Sequence, residues 1–176
     1  MNARRARGFT ILELMMVVAV VAVLAAIALP NLSDVIVRTR LKTAASDLHT
    51  SLVFARSEAV KRNAGMQVVP VSTASPPDWT QGWSVQVQAA GTVLTKQDAY
   101  QSLTINTTNA AYAATAVPSV TFSGTGRETG SGGAGVAFVI SSAAYPLIRA
   151  RCVTIDPSGR AAVRQDVNND ATNGCN

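Results

Sequence analysis

Hydrophobic and polar residues follow three different rhythms along this chain, and each rhythm predicts a different element. From Leu14 to Leu29 the residues are apolar without a break. Counted from Phe9 the segment is 21 residues, close to the roughly 20 that a bilayer core requires. Pro30 follows; it removes a backbone donor and is expected to kink a helix rather than end it, because helical spacing resumes beyond it. Leu41, Ala45, Leu48, Leu52, Ala55 and Ala59 recur at intervals of four and three, which is one face of a helix. Lys42, Asp47, Arg56, Glu58 and Lys61 lie off that stripe, and Glu58 stands four residues before Arg62, the spacing of a helical ion pair. Asn63-Ala64-Gly65 reads as the stop, with Gly65 available for a left-handed cap. Phe9 to Asn63 is thereby predicted as one helix, about 80 Å long at 1.5 Å per residue. Its first half is apolar all round and its second half is amphipathic.

From Met66 onward the rhythm shortens to two. Trp83-Ser84-Val85-Gln86-Val87-Gln88 alternates cleanly, so Trp83, Val85 and Val87 share one face of a half-buried antiparallel strand. Further strands are expected at 66–71, 92–96, 102–106, 120–122, 136–141, 148–155 and 161–165. Ser72 to Asp78, with two prolines, reads as a loop, and Gly124 to Gly135 as a flexible connector. There is no long second helix and no βαβ alternation. The economical fold is α+β, with one antiparallel sheet or two resting on the long helix.

Length and charge narrow the picture. A chain of 176 residues, less one membrane-length segment, leaves room for one modest globular head. The formal charge of +5 overstates how basic that head is. Without Arg4, Arg5 and Arg7, twelve basic residues face ten acidic ones, which is no polyanion-binding composition by itself. Cys152 and Cys175 are the two cysteines. In an exported chain they read as a disulfide rather than a metal pair. Zinc has no ligand set, since the single histidine, His49, is on the helix, where it reads as surface.

Glu13 is the anomaly, a carboxylate at the edge of a membrane-length apolar run. An unpaired charge there costs several kcal/mol on insertion scales, so it calls for a cationic partner. The obvious candidate is an α-amino group, created if the chain is cut between Gly8 and Phe9. The order Gly8-Phe9-Thr10-Ile11-Leu12-Glu13, preceded by arginines and followed by the apolar run, resembles the class III signal of type IV prepilins and type II secretion pseudopilins. The resemblance implies that a prepilin peptidase cleaves after Gly8 and methylates Phe9. It further implies that Glu13 guides assembly by pairing with a neighbour's N-terminus. The rival readings are a secretory signal ending in Ala26-Ile27-Ala28 and a simple one-span anchor oriented by the arginines. The run exceeds the usual signal core, and a glutamate before it has no use in a discarded peptide.

Three later cues, Gly82-Trp83-x-Val85, Phe122-Ser123-x-x-Gly126 and Pro157-x-Gly159-Arg160, are similar to the GspH/FimT family of minor pilins and pseudopilins. The resemblance implies the type IV pilin fold, with a leader at 1–8, a long helix at 9–63 and a β-rich head at 64–176. Residues 9–29 of that helix would serve as transmembrane segment and filament core. It also implies a structural subunit rather than an enzyme, at the inner membrane with its head in the periplasm and then in a filament. Its expected partners are other pilins or pseudopilins, prepilin peptidase and the membrane; no cofactor is expected. The expected role is priming a type IV pilus or sitting at its tip, with a type II secretion subunit and a DNA-binding pilin for natural transformation as alternatives.

The DNA alternative rests on Arg149, Arg151, Arg160 and Arg164, the one basic cluster of the head. If their strands pair through Asp156-Pro157-Ser158-Gly159, the four form one patch able to contact phosphates. The FimT branch is similar in carrying a C-terminal Gly-Arg-x-Arg motif, but here the second arginine falls two positions later, in Gly159-Arg160-Ala161-Ala162-Val163-Arg164. No aromatic follows Tyr145, so base stacking is not expected. Asp166-Val167-Asn168-Asn169-Asp170 places oxygens as a calcium loop begins. It lacks the turn glycine and the closing glutamate, and reads as a polar loop. The glycines of 124–135 lack the Gly-Lys-Ser/Thr ending of a phosphate cradle. No catalytic arrangement is found.

Overall fold

The computed structural model describes residues 8–72, 74–109, 117–132, 134–167 and 175, with the backbone alone at 27–31 and 109. Helix α1 runs Ile11–Arg62, 52 residues, and continues through Pro30 as its spacing predicts. It belongs to two compact units, one ending at Ile36 and one beginning at Val37, and these are described separately.

In the first unit every residue from Gly8 to Ala26 is exposed. Ile11 is 81 % exposed and Leu14 60 %, so this apolar segment has no cover within the single chain.

In the second unit the predicted stripe is the buried face of α1. Leu41, Leu48, Leu52, Ala55 and Ala59 sit in one cluster with residues of two four-stranded antiparallel sheets. The first sheet comprises β1 (Met66–Pro70), β2 (Trp83–Val87), β3 (Val93–Gln97) and β5 (Val120–Phe122), in the order β3-β2-β1-β5. The second comprises β4 (Thr104–Asn109), β6 (Val136–Ser141), β7 (Arg151–Ile155) and β8 (Ala161–Gln165), in the order β4-β6-β7-β8. Phe138, Ile140, Val153 and Ile155 point into the main cluster. On the opposite face, Ala137, Val139, Ala150 and Cys152 form a smaller cluster closed by Cys175. Strand β4 begins two residues later than expected, and β7 three residues later.

The helix stop differs from expectation. Asn63, with φ 48°, takes the left-handed position, which asparagine tolerates better than most residues. Gly65 instead lies against the Gln88 side chain and its carbonyl accepts the Gln88 N–H at 2.9 Å. The expected Glu58–Arg62 pair forms at 2.7 Å, with Lys61 at 3.2 Å from the same carboxylate. Those two cations hold Glu58 below its usual range.

The 124–135 segment is not a loose connector among its described residues. Glu128 is buried, and its carboxylate accepts the Gly130 and Ser131 N–H groups, at 2.6 and 2.9 Å, and the Ser131 hydroxyl. Burying that charge requires such bonds, and a glutamate among glycines gave no periodic signal of them.

Polar bonds also fasten the amphipathic half of α1 to the head. Tyr100 donates to Asp47 at 2.7 Å and stacks on Trp83, whose indole donates to Ser51 at 2.9 Å. Burial, then the Asp47 carboxylate, pushes the Tyr100 hydroxyl well above its ordinary range. A hydroxyl that stays protonated in the fold contributes stability below the unfolded value near 10 and loses it as pH rises further. Unfolding measured from pH 9 to 11.5 should show stability falling above pH 10. Tyr100→Phe should flatten that fall; an unchanged slope would refute the assignment.

Candidate functional sites

The N-terminal site is built by the way α1 starts. Thr10 stands just before the helix, and its Oγ1 accepts the Glu13 N–H at 3.2 Å, while its carbonyl accepts Leu14 N–H at 3.1 Å. Thr10-x-x-Glu13 is therefore one half of a capping box, a signal present in the sequence but not read there as one. The cap fixes where the helix begins, and puts the exposed Glu13 carboxylate in its first turn, where the helix dipole favours an anion. Glu13 meets no cation among the described residues. Among those residues, no helix is long and apolar enough to cross a membrane; side chains are described in the apolar run only as far as Ala26.

The C-terminal site departs from the single basic patch. Strands β7 and β8 pair through the expected turn, but Arg151 stands opposite Gln165 and Arg164 opposite Cys152. Residues directly opposite share a face, so Arg151 lies with Val153 on one face and Arg164 with Cys152 on the other. Arg160 and Arg164 line one cavity, Arg151 lies on the other face of the sheet, and Arg149 precedes β7. Pairing register is a tertiary fact, and one residue of offset moves every side chain to the other face.

Cys152 and Cys175 form a disulfide with Cα atoms 5.7 Å apart, and Arg164 Nη2 donates to the Cys175 carbonyl. Asp166 is fully buried, and neither carboxylate oxygen has a hydrogen-bond partner among the described residues. The rest of the calcium-like run, residues 168–170, lies outside them.

Two glycines from the family-like turns meet in space. Arg56, which lies off the apolar stripe of the helix, donates from Nε to the Gly126 carbonyl at 3.0 Å and from Nη2 to Ser158 O at 3.2 Å. Gly159 lies against the same Gly126 carbonyl. One guanidinium thus ties the helix to a turn beside each sheet.

A family described as "Type II transport protein GspH" matches residues 44–159, and the prokaryotic N-terminal methylation motif matches residues 3–29. The crystal structure of the type IV minor pilin FimU of Pseudomonas aeruginosa aligns with TM-score 0.58 and 25 % identity, over 79 % of this chain and 97 % of that one. The minor pseudopilin EpsH of the Vibrio cholerae type 2 secretion system shares the fold, with TM-score 0.54 and 12 % identity, over 72 % of this chain and 97 % of that one. A fimbrial protein of Pseudomonas aeruginosa is 39 % identical over 41 % of this chain and 44 % of its own length. The pilin-like protein PilA1 of Thermus thermophilus is 47 % identical over 35 % of this chain and 40 % of its own length. The chain spans less than half the length of these curated relatives.

Proposed function

Because the chain belongs to the GspH family and carries the N-terminal methylation motif, we propose that it is a minor pilin of a type IV pilus. Prepilin peptidase removes residues 1–8 and methylates Phe9. The apolar half of α1 then anchors the subunit in the inner membrane with its head in the periplasm. On assembly the same segment exchanges lipid for the helices of other subunits, at the start or tip of the filament.

The observation that carries this reading is the exposure of every residue from Gly8 to Ala26. A contiguous apolar surface of that size calls for a partner, and both lipid and neighbouring helices supply one. Glu13, in the first turn of that surface, faces an amine once the cut frees Phe9. No reaction is assigned to the head.

The test is Glu13→Ala. The variant should be cut and methylated normally, seen as the wild-type mass less the side-chain difference, yet be absent from sheared filaments. Glu13→Gln keeps the size and polarity of the side chain but not the charge, and should fail in the same way. Wild-type incorporation of either variant would sink the role given to the carboxylate. A type II secretion pseudopilin is the second reading, supported by the description of the matched family. Deletion of the gene separates the two, since one loses surface pili and the other loses protein secretion.

A further inference from the structure

Strand β8 is the last strand of its sheet. Bonds at its two ends fix which backbone groups are free. Asp156 N–H donates to Arg160 O at 3.1 Å, and Asp166 N–H to Ala150 O at 3.0 Å. Paired and unpaired positions alternate in an antiparallel ladder, so residues 160, 162 and 164 turn their backbone groups toward β7. Ala161, Val163 and Gln165 turn theirs outward, and have no partner among the described residues.

Side chains alternate as well. Arg160, Ala162 and Arg164 share the sheet face opposite Val153, where they line a cavity of about 480 Å³ floored by Ala137 and Thr154. Arg164 is steadied by its bond to the Cys175 carbonyl. Neither arginine has a carboxylate within ion-pair distance among the described residues. Asp156 also lines the cavity, but its Oδ1 accepts the Ser158 hydroxyl at 2.6 Å and the Arg160 N–H at 3.0 Å. The family match ends at residue 159, so β8 lies beyond it.

We propose that β8 is a docking edge for an extended acidic segment of another polypeptide, which joins the sheet as a further strand and sets carboxylates against Arg160 and Arg164. Main-chain bonds in this mode give affinity, and alternate side chains give selectivity. The two arginines stand four residues apart, about 13 Å along a strand, and side chains at i and i+4 of an extended peptide recur at that spacing. Ala162 between them leaves room for the intervening residue. Charges on an open edge also prevent indiscriminate pairing, which restricts the edge to a strand of opposite sign. A row of outward backbone groups addresses another backbone, and among the described residues the cavity lining holds no aromatic ring on which a base would stack. Those two features favour a peptide over a nucleic acid. The proposal goes beyond the filament role and does not depend on it.

The test uses the full chain in detergent and fluorescence polarisation with a labelled nonapeptide of threonine and valine bearing two glutamates four positions apart. A matching dilysine peptide and an oligothymidylate complete the probes. The acidic peptide should bind, and Arg160→Glu with Arg164→Glu should weaken it at least about tenfold while creating affinity for the dilysine peptide. Val163→Pro removes one outward donor and keeps the β7 bonds; it should weaken binding several-fold with an unchanged circular-dichroism spectrum. The proposal is overturned by absent acidic-peptide binding, by binding indifferent to Val163→Pro, or by arginine-dependent capture of oligothymidylate instead.

Discussion

Gly159→Ala is expected to destabilise the head by about 3 kcal/mol or more, from backbone strain and a forced collision together. Gly159 has φ +82°, and a Cβ built there falls 2.1 Å from the Gly126 carbonyl oxygen and 3.3 Å from Arg56 Nε. Both sides of this contact are held in place. Gly126 O is the acceptor for Arg56, and Gly159 N–H closes the β7–β8 turn on Asp156 O at 2.9 Å. The turn cannot retreat without separating β8 from β7, and Gly126 cannot retreat without breaking the Arg56 bond. Gly91 is the control, since it has φ +65° but nothing within 4 Å of its Cβ. Gly91→Ala should show the strain alone, about 1 kcal/mol. Chemical unfolding of the two variants side by side decides the matter: equal losses would mean that the Gly126–Gly159 contact contributes nothing.

Cys175→Ser should cost about 3 kcal/mol, the usual range for a native disulfide closing a loop of this size. The bridge joins positions 23 apart in sequence, and more than loop entropy depends on it. Cys152 is the second residue of β7, opposite Val139 and Arg164. The buried Cys175 closes the small cluster with Ala137, Val139 and Ala150. Once the tail is released, that face opens to water and Arg164 loses its carbonyl acceptor. Wild-type protein unfolded in the presence of a thiol reductant should reproduce the variant. If reductant left the wild-type midpoint unmoved, the staple would be dispensable. A bond of this kind persists in an oxidising compartment, which agrees with a head carried outside the inner membrane.

Much of this molecule is legible in its sequence. Period is a local property, so the stripe from Leu41 to Ala59 gave the buried face of α1, and the alternation from Trp83 to Val87 gave β2. Ranges 120–122, 136–141 and 161–165 fell on β5, β6 and β8. The spacing of Glu58 and Arg62 gave their ion pair, and the cysteine count gave the bridge. Fine boundaries were less legible. Asn63 took the left-handed turn assigned to Gly65, because a cap depends on which residue meets the helix end. Glu128 looked like one acid in a glycine-rich connector, since nothing in a linear pattern counts the N–H groups that a buried carboxylate collects.

What the sequence determined by itself is everything that depends on neighbours along the chain: a helix apolar in its first half and amphipathic in its second, a strand-rich head, and the ordered signal at Gly8, Phe9 and Glu13. What only the tertiary structure decided depends on register and on contacts between distant segments. Antiparallel pairing set Arg151 and Arg164 on opposite faces and turned Ala161, Val163 and Gln165 outward. Packing brought Gly126 and Ser158 to Arg56 across 70 and 102 residues of sequence. The physical reason is that side-chain period survives in one dimension, whereas the offset between two strands is fixed only when they meet.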